Sequence, residues 1–312
     1  MYSSDGFRQI DDETFTLRIP EGKDFRILQL TDLHLGFGFI SRGKDKLALD
    51  AVRKTIKKAK PDMIVLTGDS IYPFLPRSGT LNNRKQAKKL MAFLDGFEIP
   101  YTLVFGNHDC EMGSTCNKEE LAKLYKKGKY CIFTEGRKNL TGVGNFFTGF
   151  DCIHDDQVDW CMERLNALKL AYQDINAMAF FHMPLWEFKE AYEKMKLGDR
   201  SVIYRHGSIG EKNDHFGISK YKGTFFDKAV ENGVIKWMFC GHDHMNTLSL
   251  IYKGIQMTYG MSIDYLGYNG MKKNYTQRGG TLITRKADKS VDIRMVPLGA
   301  VVSTRVRGLK EK

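Results

Sequence analysis

The chain has 312 residues, of which 42% are hydrophobic and 27% charged, and its formal net charge is +11. This composition is typical of a folded globular protein with a large buried core, and it excludes a disordered or fibrous chain. No apolar run approaches the roughly 18 residues of a membrane-spanning helix, so we expect no membrane partner. The opening residues MYSSDGFRQIDDE lack the apolar core of a secretory signal, which predicts a cytoplasmic location unless a signal has been trimmed.

The cysteines and the surplus positive charge point to no special site by themselves. The six cysteines form no C-x-x-C pair and no zinc-finger spacing, which predicts reduced thiols. Cys110 and Cys116 are close enough in sequence to pair in an oxidising compartment. The lysine-rich runs at 53–60 and 84–89 contain no interleaved aromatic residues, so a solvated surface that attracts anionic substrates is favoured over a nucleic-acid partner.

The first half of the chain alternates between apolar runs typical of strands and amphipathic runs typical of helices. Strands are predicted at 14–19, 25–30, 63–66 and 101–105. Helices are predicted at 44–60, 84–97 and 117–127. Pro61 ends the first helix, and a capping box of Asn117 and Glu120 opens the last.

The second half continues this alternation and then changes to strands and turns. Strands are predicted at 143–150, 177–181, 234–239, 247–252, 255–259, 281–284 and 291–297. Helices are predicted at 155–172, where Asp155 is the expected cap, in the segment ending near 195, and at 223–231. Residues 199–222 have no clear period and are predicted to be a surface excursion. His206 and His215 match no motif position, so a surface or capping role is favoured for each over the alternative that one reaches over the site. No linker divides the chain, so residues 1–312 are predicted to form one domain.

Metal-binding residue types directly follow five of the predicted strands. They are Asp32 and His34, Asp69, Asn107-His108-Asp109, His182, and His242 with His244. In open α/β sheets the carboxyl ends of strands meet at one edge, so we expect these side chains to converge. Carboxylates, an amide and imidazoles without a thiolate suit Mn, Fe, Zn or Co, and they are too many for one ion. Asp69, alone behind Gly68, is the predicted bridge between two ions about 3.5–4 Å apart.

The motifs D-x-H, G-D, G-N-H-D, H and G-H-x-H, in this order over residues 32–244, resemble the calcineurin-like metallophosphoesterase superfamily. The resemblance implies an α/β fold, an αββα sandwich of two mixed β-sheets flanked by helices, with two divalent or trivalent metal ions (Mn, Fe or Zn). It implies that one ion is bound by Asp32, His34, Asp69 and His244. It implies that the other is bound by Asp69, Asn107, His182 and His242. His108 would be the acid that protonates the leaving oxygen, and Asp109 would orient it.

Parts of the chain are similar to a branch of small purple-acid-phosphatase-like proteins, notably 216–246, 259–260 and 278–280. The segment Gly68-Asp69-Ser70-Ile71-Tyr72 matches the purple G-D-x-x-Y motif, whose tyrosine binds ferric iron. The first motif departs from that pattern, because it is D-x-H instead of D-x-G, and His34 can occupy the position of that tyrosine. We therefore expect Tyr72 to be a packing or substrate-contact residue. The missing Asp-Arg-Gly after Asp69 disfavours the protein-serine/threonine phosphatase branch.

The expected activity is hydrolysis of a phosphoester by in-line attack of a metal-held hydroxide. A phosphatase (phosphomonoesterase) acting on a small phosphorylated substrate or a phosphoprotein is favoured. The nearest alternative is a phosphodiesterase acting on cyclic nucleotides or other small diesters. A nuclease is less favoured, because the short segment after His244 leaves little room for a DNA-capping module. A non-catalytic binding module on this fold would be expected to show gaps in the ligand set, and the sequence shows none.

Overall fold

The structure is a computed structural model that describes residues 7–142, 153–172, 174–268, 271 and 277–299. Within these residues the strands form two five-stranded sheets and one two-stranded hairpin. The strand predicted at 143–150 lies outside the described residues. Among the described helices, none combines the length and the apolar character needed to cross a membrane.

Strands and helices alternate along the described residues, and three of them, at Phe7–Asp11, Leu75–Ser78 and Val202–His206, were not expected from the sequence. The strands are β1 (Phe7–Asp11), β2 (Thr14–Leu17), β3 (Phe25–Leu30), β4 (Met63–Thr67), β5 (Tyr101–Val104), β6 (Ala177–Phe180), β7 (Val202–His206), β8 (Ile235–Cys240), β9 (Ser249–Tyr252), β10 (Ile255–Tyr259), β11 (Gly279–Arg285) and β12 (Val291–Pro297). The helices are α1 (Arg42–Ala59), α2 (Leu75–Ser78), α3 (Asn83–Asp95), α4 (Lys118–Tyr125), α5 (Asp155–Ala171), α6 (Trp186–Lys196) and α7 (Phe225–Asn232).

The first sheet has the strand order β12-β11-β3-β4-β5. Strands β3, β4 and β5 run parallel, and β11 runs antiparallel to both β3 and β12, so the sheet is mixed. Leu28 is in register with Ile64, which is in register with Tyr101 on the next strand, and all three are buried. Helices α1 and α3 connect the parallel strands, and such crossovers leave the carboxyl ends of these strands at one edge.

The second sheet has the strand order β6-β8-β10-β9-β7 and is also mixed. Strands β6, β8 and β10 are parallel, whereas β9 is antiparallel to β10 and to β7. Strand β7 was not expected, because it lies inside the predicted surface excursion 199–222. Only Val202 of this edge strand is fully buried, so its sequence carries no alternating pattern strong enough to predict a strand.

Three apolar clusters confirm the sandwich. Helices α1, α3 and α4 pack on the outer face of the first sheet, and α5, α6 and α7 pack on the outer face of the second. The cluster between the sheets includes Phe239 from β8, Ile283 from β11 and Ile293 from β12. The Phe239 ring stacks on Phe180 of the neighbouring strand, with centroids 4.8 Å apart. The order of layers is therefore helix, sheet, sheet, helix.

The residues that cap helices α4 and α5 can be compared with the predicted caps. The capping box of Asn117 and Glu120 is confirmed at the start of α4. Helix α5 is capped one residue earlier than expected, because the amide of His154 donates to Gln157 Oε1 at 3.2 Å.

Cys110 and Cys116 are both free. Burial raises the pKa of the Cys110 thiol to about 12, which makes it a poor nucleophile at neutral pH.

Candidate metal centre

The candidate site lies where the carboxyl ends of strands from both sheets meet. The loops after β3, β4 and β5 come from the first sheet, and those after β6 and β8 come from the second. Gln29, on β3, joins the two sheets beneath the site. Its buried Nε2 donates to Thr67 Oγ1 and to the carbonyl of Cys240, both at 2.9 Å. Because Cys240 ends β8, this pair of hydrogen bonds fixes the two sheet edges relative to each other.

Four of the predicted ligands have an uncommon backbone conformation. Their positive φ angles are 51° at Asp32, 47° at His34, 50° at Asp69 and 70° at His242. Residues other than glycine rarely adopt this region, and such strain clusters at functional sites where surrounding contacts enforce it. Here the amide of Asp32 donates to the carbonyl of Gly68 at 3.1 Å, and that of His34 donates to the carbonyl of Asp69 at 2.9 Å. The loops after β3 and β4 therefore hold each other in the strained conformation.

Two glycines allow these loops to approach closely. Gly68 has a φ of +89°, and a Cβ there would lie 2.3 Å from Nδ1 of His182. A Cβ at Gly106 would lie 2.0 Å from Oδ1 of Asp69. Both distances are far below van der Waals contact, so only glycine fits at either position.

The first group of ligand atoms comes from Asp32, His34 and His244, which are all buried. Their ligand atoms lie within 4.8 Å of one another. Nε2 of His244 lies 3.5 Å from Oδ1 of Asp32. A carboxylate and two imidazoles converging in this way could hold one metal ion.

The second group comes from Asp69, His182 and His242. Nε2 of His182 lies 3.2 Å from Oδ2 of Asp69 and 3.3 Å from Nδ1 of His242. Asn107 joins this group, since its Oδ1 lies 3.1 Å from the same nitrogen of His182. Nδ1 of His182 faces the carbonyl of Thr67 at 2.9 Å, which leaves Nε2 as the free ligand atom.

One oxygen of Asp69 faces both groups. Asp69 Oδ2 lies 3.4 Å from Nε2 of His34 and 3.2 Å from Nε2 of His182. This oxygen is buried and has no hydrogen-bond partner, and the same is true of Asp32 Oδ1 and His34 Nε2. Buried polar atoms without a hydrogen-bond partner are costly and rare in proteins, and a cation between these atoms would satisfy them. The residues therefore fit a pair of metal ions with Asp69 between them.

The pKa values of His34 and His182 reflect the negative charge of the carboxylates around them. Burial lowers the pKa of His34, but the nearby carboxylates of Asp264 and Asp69 raise it to about 10. Burial also lowers the pKa of His182, and Asp69 and Asp32 raise it to about 9. The folded chain thus favours positive charge among these carboxylates, which is the electrostatic condition for binding a cation.

Asp264 belongs to the site but was not predicted. Its Oδ2 lies 3.1 Å from Nδ1 of His244, and its Oδ1 lies 3.6 Å from Nδ1 of His34. The amides of Leu266 and Gly267 donate to its Oδ1, both at 2.7 Å. Asp264 lies in the loop after β10, so the rule that ligand residues follow strands could have found it. It was missed because it is the fifth residue after the end of its strand, whereas Asp69 and His182 are each the second.

His108 lies at the site, but the carboxylate paired with its ring is that of Glu111. Nδ1 of His108 pairs with Oε1 of Glu111. The carboxylate of Asp109, which we expected beside this ring, accepts hydrogen bonds from backbone amides. The donors are Gly106 at 2.7 Å, Ser70 and Ile71 at 3.0 Å, and Asp69 at 3.1 Å. Asp109 therefore fastens the loop after β4, which carries Asp69, to the loop after β5.

Tyr72 packs against two of the histidines, as expected for a packing residue. Its ring centroid lies 5.1 Å from that of His34 and 4.9 Å from that of His108, both edge-on. Burial raises the pKa of the Tyr72 hydroxyl to about 12, so it stays protonated at neutral pH.

A cavity of about 240 Å³ opens onto these residues. Glu211, His215 and Tyr268 complete its lining beside the predicted histidines. The hydroxyl of Tyr268 donates to Glu211 Oε2 at 2.7 Å. Of the two histidines of the excursion, His215 lines this cavity, whereas His206 ends β7.

The two-sheet sandwich and the paired ligand groups define this chain as a protein of the metallophosphoesterase class. Residues 25–246 match the family model of the calcineurin-like phosphoesterases. The chain therefore belongs to the calcineurin-like phosphoesterase family, and the resemblance inferred from the motifs is confirmed.

Relatives and a solved structure agree with this assignment. The chain is 25% identical to "Probable inactive purple acid phosphatase 28" of Arabidopsis thaliana, over 88% of this chain and 79% of that protein. It is 26% identical to "Phosphatase DCR2" of Saccharomyces cerevisiae, over 80% of this chain but only 49% of that protein. The structure resembles that of a dimetal phosphatase from Danio rerio with a TM-score of 0.51 and 12% identity, covering 88% of this chain and 99% of the other. This likeness confirms the fold.

Proposed function

We propose that this protein is a metal-dependent phosphoester hydrolase, acting as a phosphatase on phosphomonoesters. The observation that carries the proposal is the position of Asp69 Oδ2. This buried, unpartnered oxygen lies 3.4 Å from His34 Nε2 and 3.2 Å from His182 Nε2, which belong to different ligand groups. A carboxylate oxygen between two sets of ligands is the arrangement expected of a bridge in a dinuclear centre.

The ligand groups assign a role to each side chain. One divalent or trivalent ion (Mn, Fe or Zn) would be held by Asp32, His34, Asp69 and His244. The other would be held by Asp69, Asn107, His182 and His242. When bound, the two ions supply positive charge to the phosphoryl oxygens and lower the pKa of water. Among the described residues, the lining of the cavity contains no lysine or arginine, so the metal ions would supply the positive charge that holds the phosphate.

His108 is the side chain best placed to move a proton. Its ring lines the cavity, and its Nδ1 is engaged by Glu111, so Nε2 is the nitrogen available to the substrate. A histidine paired with a carboxylate through one nitrogen is held in one orientation and one tautomer. We assign Nε2 of His108 as the acid that protonates the leaving oxygen, and Glu111 as the residue that positions it.

The names of some relatives describe them as inactive, so catalysis needs direct support. That support comes from the ligand set of this chain, in which each predicted position carries a metal-binding side chain directed at one of the two groups. A binding module that had lost its activity would be free to lose ligands, and the backbone strain at Asp32, His34, Asp69 and His242 would then serve no purpose.

The test is a hydrolysis assay with p-nitrophenyl phosphate and bis-p-nitrophenyl phosphate in the presence of Mn²⁺. A higher kcat/KM for the monoester supports the phosphatase. A preference for the diester would identify a phosphodiesterase instead. No turnover of either substrate by the metal-loaded protein would contradict hydrolysis altogether.

A further inference from the structure

Large apolar side chains are exposed on the three loops that leave β3, β4 and β5, the loops that also carry His34, Asp69 and His108. They are Phe39, Ile40, Phe74, Leu75 and Met112, with exposed fractions from 37% to 97%. We call these five residues the apolar rim. Concentrated exposure of apolar groups beside a binding site marks an interaction surface, whereas single exposed apolar residues are ordinary.

The loops of the apolar rim are fixed to one another. A Cβ at Gly79 would lie 2.8 Å from the Phe39 ring and 2.9 Å from the Ile40 side chain, so both residues pack on the end of α2. The buried side chain of Gln86 donates to the carbonyl of Gly36 at 2.6 Å and to that of Tyr72 at 3.2 Å. These contacts tie the loop after β3 to the loop after β4.

The third loop is anchored to the same helix. The side chain of Asn83, on α3, accepts a hydrogen bond from the amide of Cys116 and donates one to the carbonyl of Cys116, both at 2.8 Å. The amide of Thr115 donates to the carbonyl of Leu81 at 3.2 Å. A surface whose loops are held in place before binding loses little conformational entropy when a partner docks.

The apolar rim is continuous with the candidate acid. The ring of Phe74 lies 5.6 Å from that of Tyr72, and the ring of Tyr72 lies 4.9 Å from that of His108. Because we assign His108 to the leaving oxygen, the group that leaves is expected to lie on this side of the cavity. A substrate that fills only the 240 Å³ cavity would leave the apolar rim in water.

If the protein is a phosphatase, as proposed above, its substrate can extend beyond the cavity. We propose that the apolar rim binds apolar side chains that flank the phosphorylated residue of a polypeptide substrate. The charges around the rim favour a polypeptide over an anionic membrane. Exposed Arg42 and Lys46 lie near its start, but Glu111 lies beside His108, and Glu120 pairs with Arg84 at 3.7 Å. An apolar centre with a border of both charge signs is typical of protein interfaces, whereas anionic lipid recognition uses a cluster of one sign.

The experiment compares two phosphoserine peptides of equal length and charge, one with Leu and Phe flanking the phosphoserine and the other with Ser and Gln. We expect kcat/KM to be about 10-fold higher for the apolar peptide. The double variant Phe39→Ser, Leu75→Ser should reduce this ratio to about 2-fold or less while p-nitrophenyl phosphate turnover stays unchanged. The control double variant Leu170→Ser, Leu197→Ser changes two residues that are 90% and 87% exposed on α5 and after α6, and it should keep the full ratio.

Several results would overturn the inference. Equal kcat/KM for the two peptides in the wild-type protein would do so, as would an unchanged ratio in the double variant of the rim. Sedimentation with phosphatidylserine vesicles that needs Phe39 and Leu75, without a peptide preference, would assign the rim to a lipid surface. Because p-nitrophenyl phosphate has no flanking side chains for the rim to bind, its turnover with no peptide preference would overturn this inference and leave the phosphatase intact. If p-nitrophenyl phosphate is not turned over at all, the proposed phosphatase activity itself is wrong.

Discussion

Asp264 and His244 are joined by a hydrogen bond of 3.1 Å between the carboxylate and Nδ1 of the ring. The other carboxylate oxygen lies 3.6 Å from Nδ1 of His34, so one buried side chain orients two histidines of the same ligand group. With Nδ1 facing Asp264, each ring presents Nε2 towards the carboxylates of the centre: His244 Nε2 lies 3.5 Å from Asp32, and His34 Nε2 lies 3.4 Å from Asp69. Mutation of such outer partners of metal-binding histidines typically lowers metal affinity or activity by about 10–100-fold.

Replacing Asp264 should therefore weaken metal binding without removing a ligand. We expect Asp264→Asn to lower the affinity for Mn²⁺ by about 10–100-fold, measured by competition with a chelating dye. The control Asp227→Asn, which removes an exposed carboxylate paired with Lys253, should leave the affinity unchanged. Wild-type affinity in Asp264→Asn would refute a positioning role.

Glu111 should affect turnover more than metal content. We expect Glu111→Gln to lower kcat for p-nitrophenyl phosphate by about 10-fold, because His108 loses the carboxylate that fixes the orientation and tautomer of its ring. His108→Ala should lower kcat by about 10²–10⁴-fold. Both variants should keep the metal content of the wild type, measured by elemental analysis, and Glu119→Gln serves as the control. Full turnover in His108→Ala would rule out the acid assignment.

Asp109 should matter for stability. Its carboxylate accepts hydrogen bonds from four buried backbone amides, and Asp109→Ala would leave these donors without a partner. We expect the free energy of unfolding of the metal-free protein to fall by about 2–4 kcal/mol in Asp109→Ala, measured by urea denaturation. The control Asp288→Ala, on the exposed turn between β11 and β12, should change it by less than about 0.5 kcal/mol. Equal stability of Asp109→Ala and the wild type would contradict this structural role.

Gly68 offers a test of the strained loop after β4. The change Gly68→Ala adds a Cβ at a φ of +89°, 2.3 Å from the His182 ring. Steric conflict should destabilise the fold by about 1–3 kcal/mol and displace His182. In contrast, Gly43→Ala places a Cβ on α1 with no atom within 4 Å, and it should leave thermal stability equal or slightly raised. If both variants melt at the same temperature, close packing of Gly68 on His182 is not required.

Much of the fold and site could be predicted from the sequence, because buried parallel strands have continuous apolar runs. The strand Phe25–Leu30 was predicted with its observed bounds, and Asp32 follows it as expected. Asp69 and His182 could be predicted for the same reason, since each directly follows such a run. Motif order then indicated which loops belong to one site.

The features that were missed depend on contacts between segments distant in sequence. Asp264 acts through a hydrogen bond to His244 and an ion-pair contact of 3.6 Å with His34, and a lone aspartate in a loop carries no local signal of such contacts. The pairing of His108 with Glu111 rather than Asp109 depends on how the loop after β5 turns, which residue types alone do not determine. Strand β7 owes its conformation to pairing with β9, because its own residues are mostly exposed.

The central claim is that one carboxylate, Asp69, joins two metal ions. The most direct test is the metal content per chain of wild-type protein and of Asp69→Asn, after stripping with a chelator and reconstitution with Mn²⁺, Fe²⁺ or Zn²⁺. We expect two ions per chain in the wild type and fewer than one in Asp69→Asn, because the change weakens both ligand groups at once. Two ions retained by Asp69→Asn, or no more than one ion bound by the wild type with every metal, would contradict it.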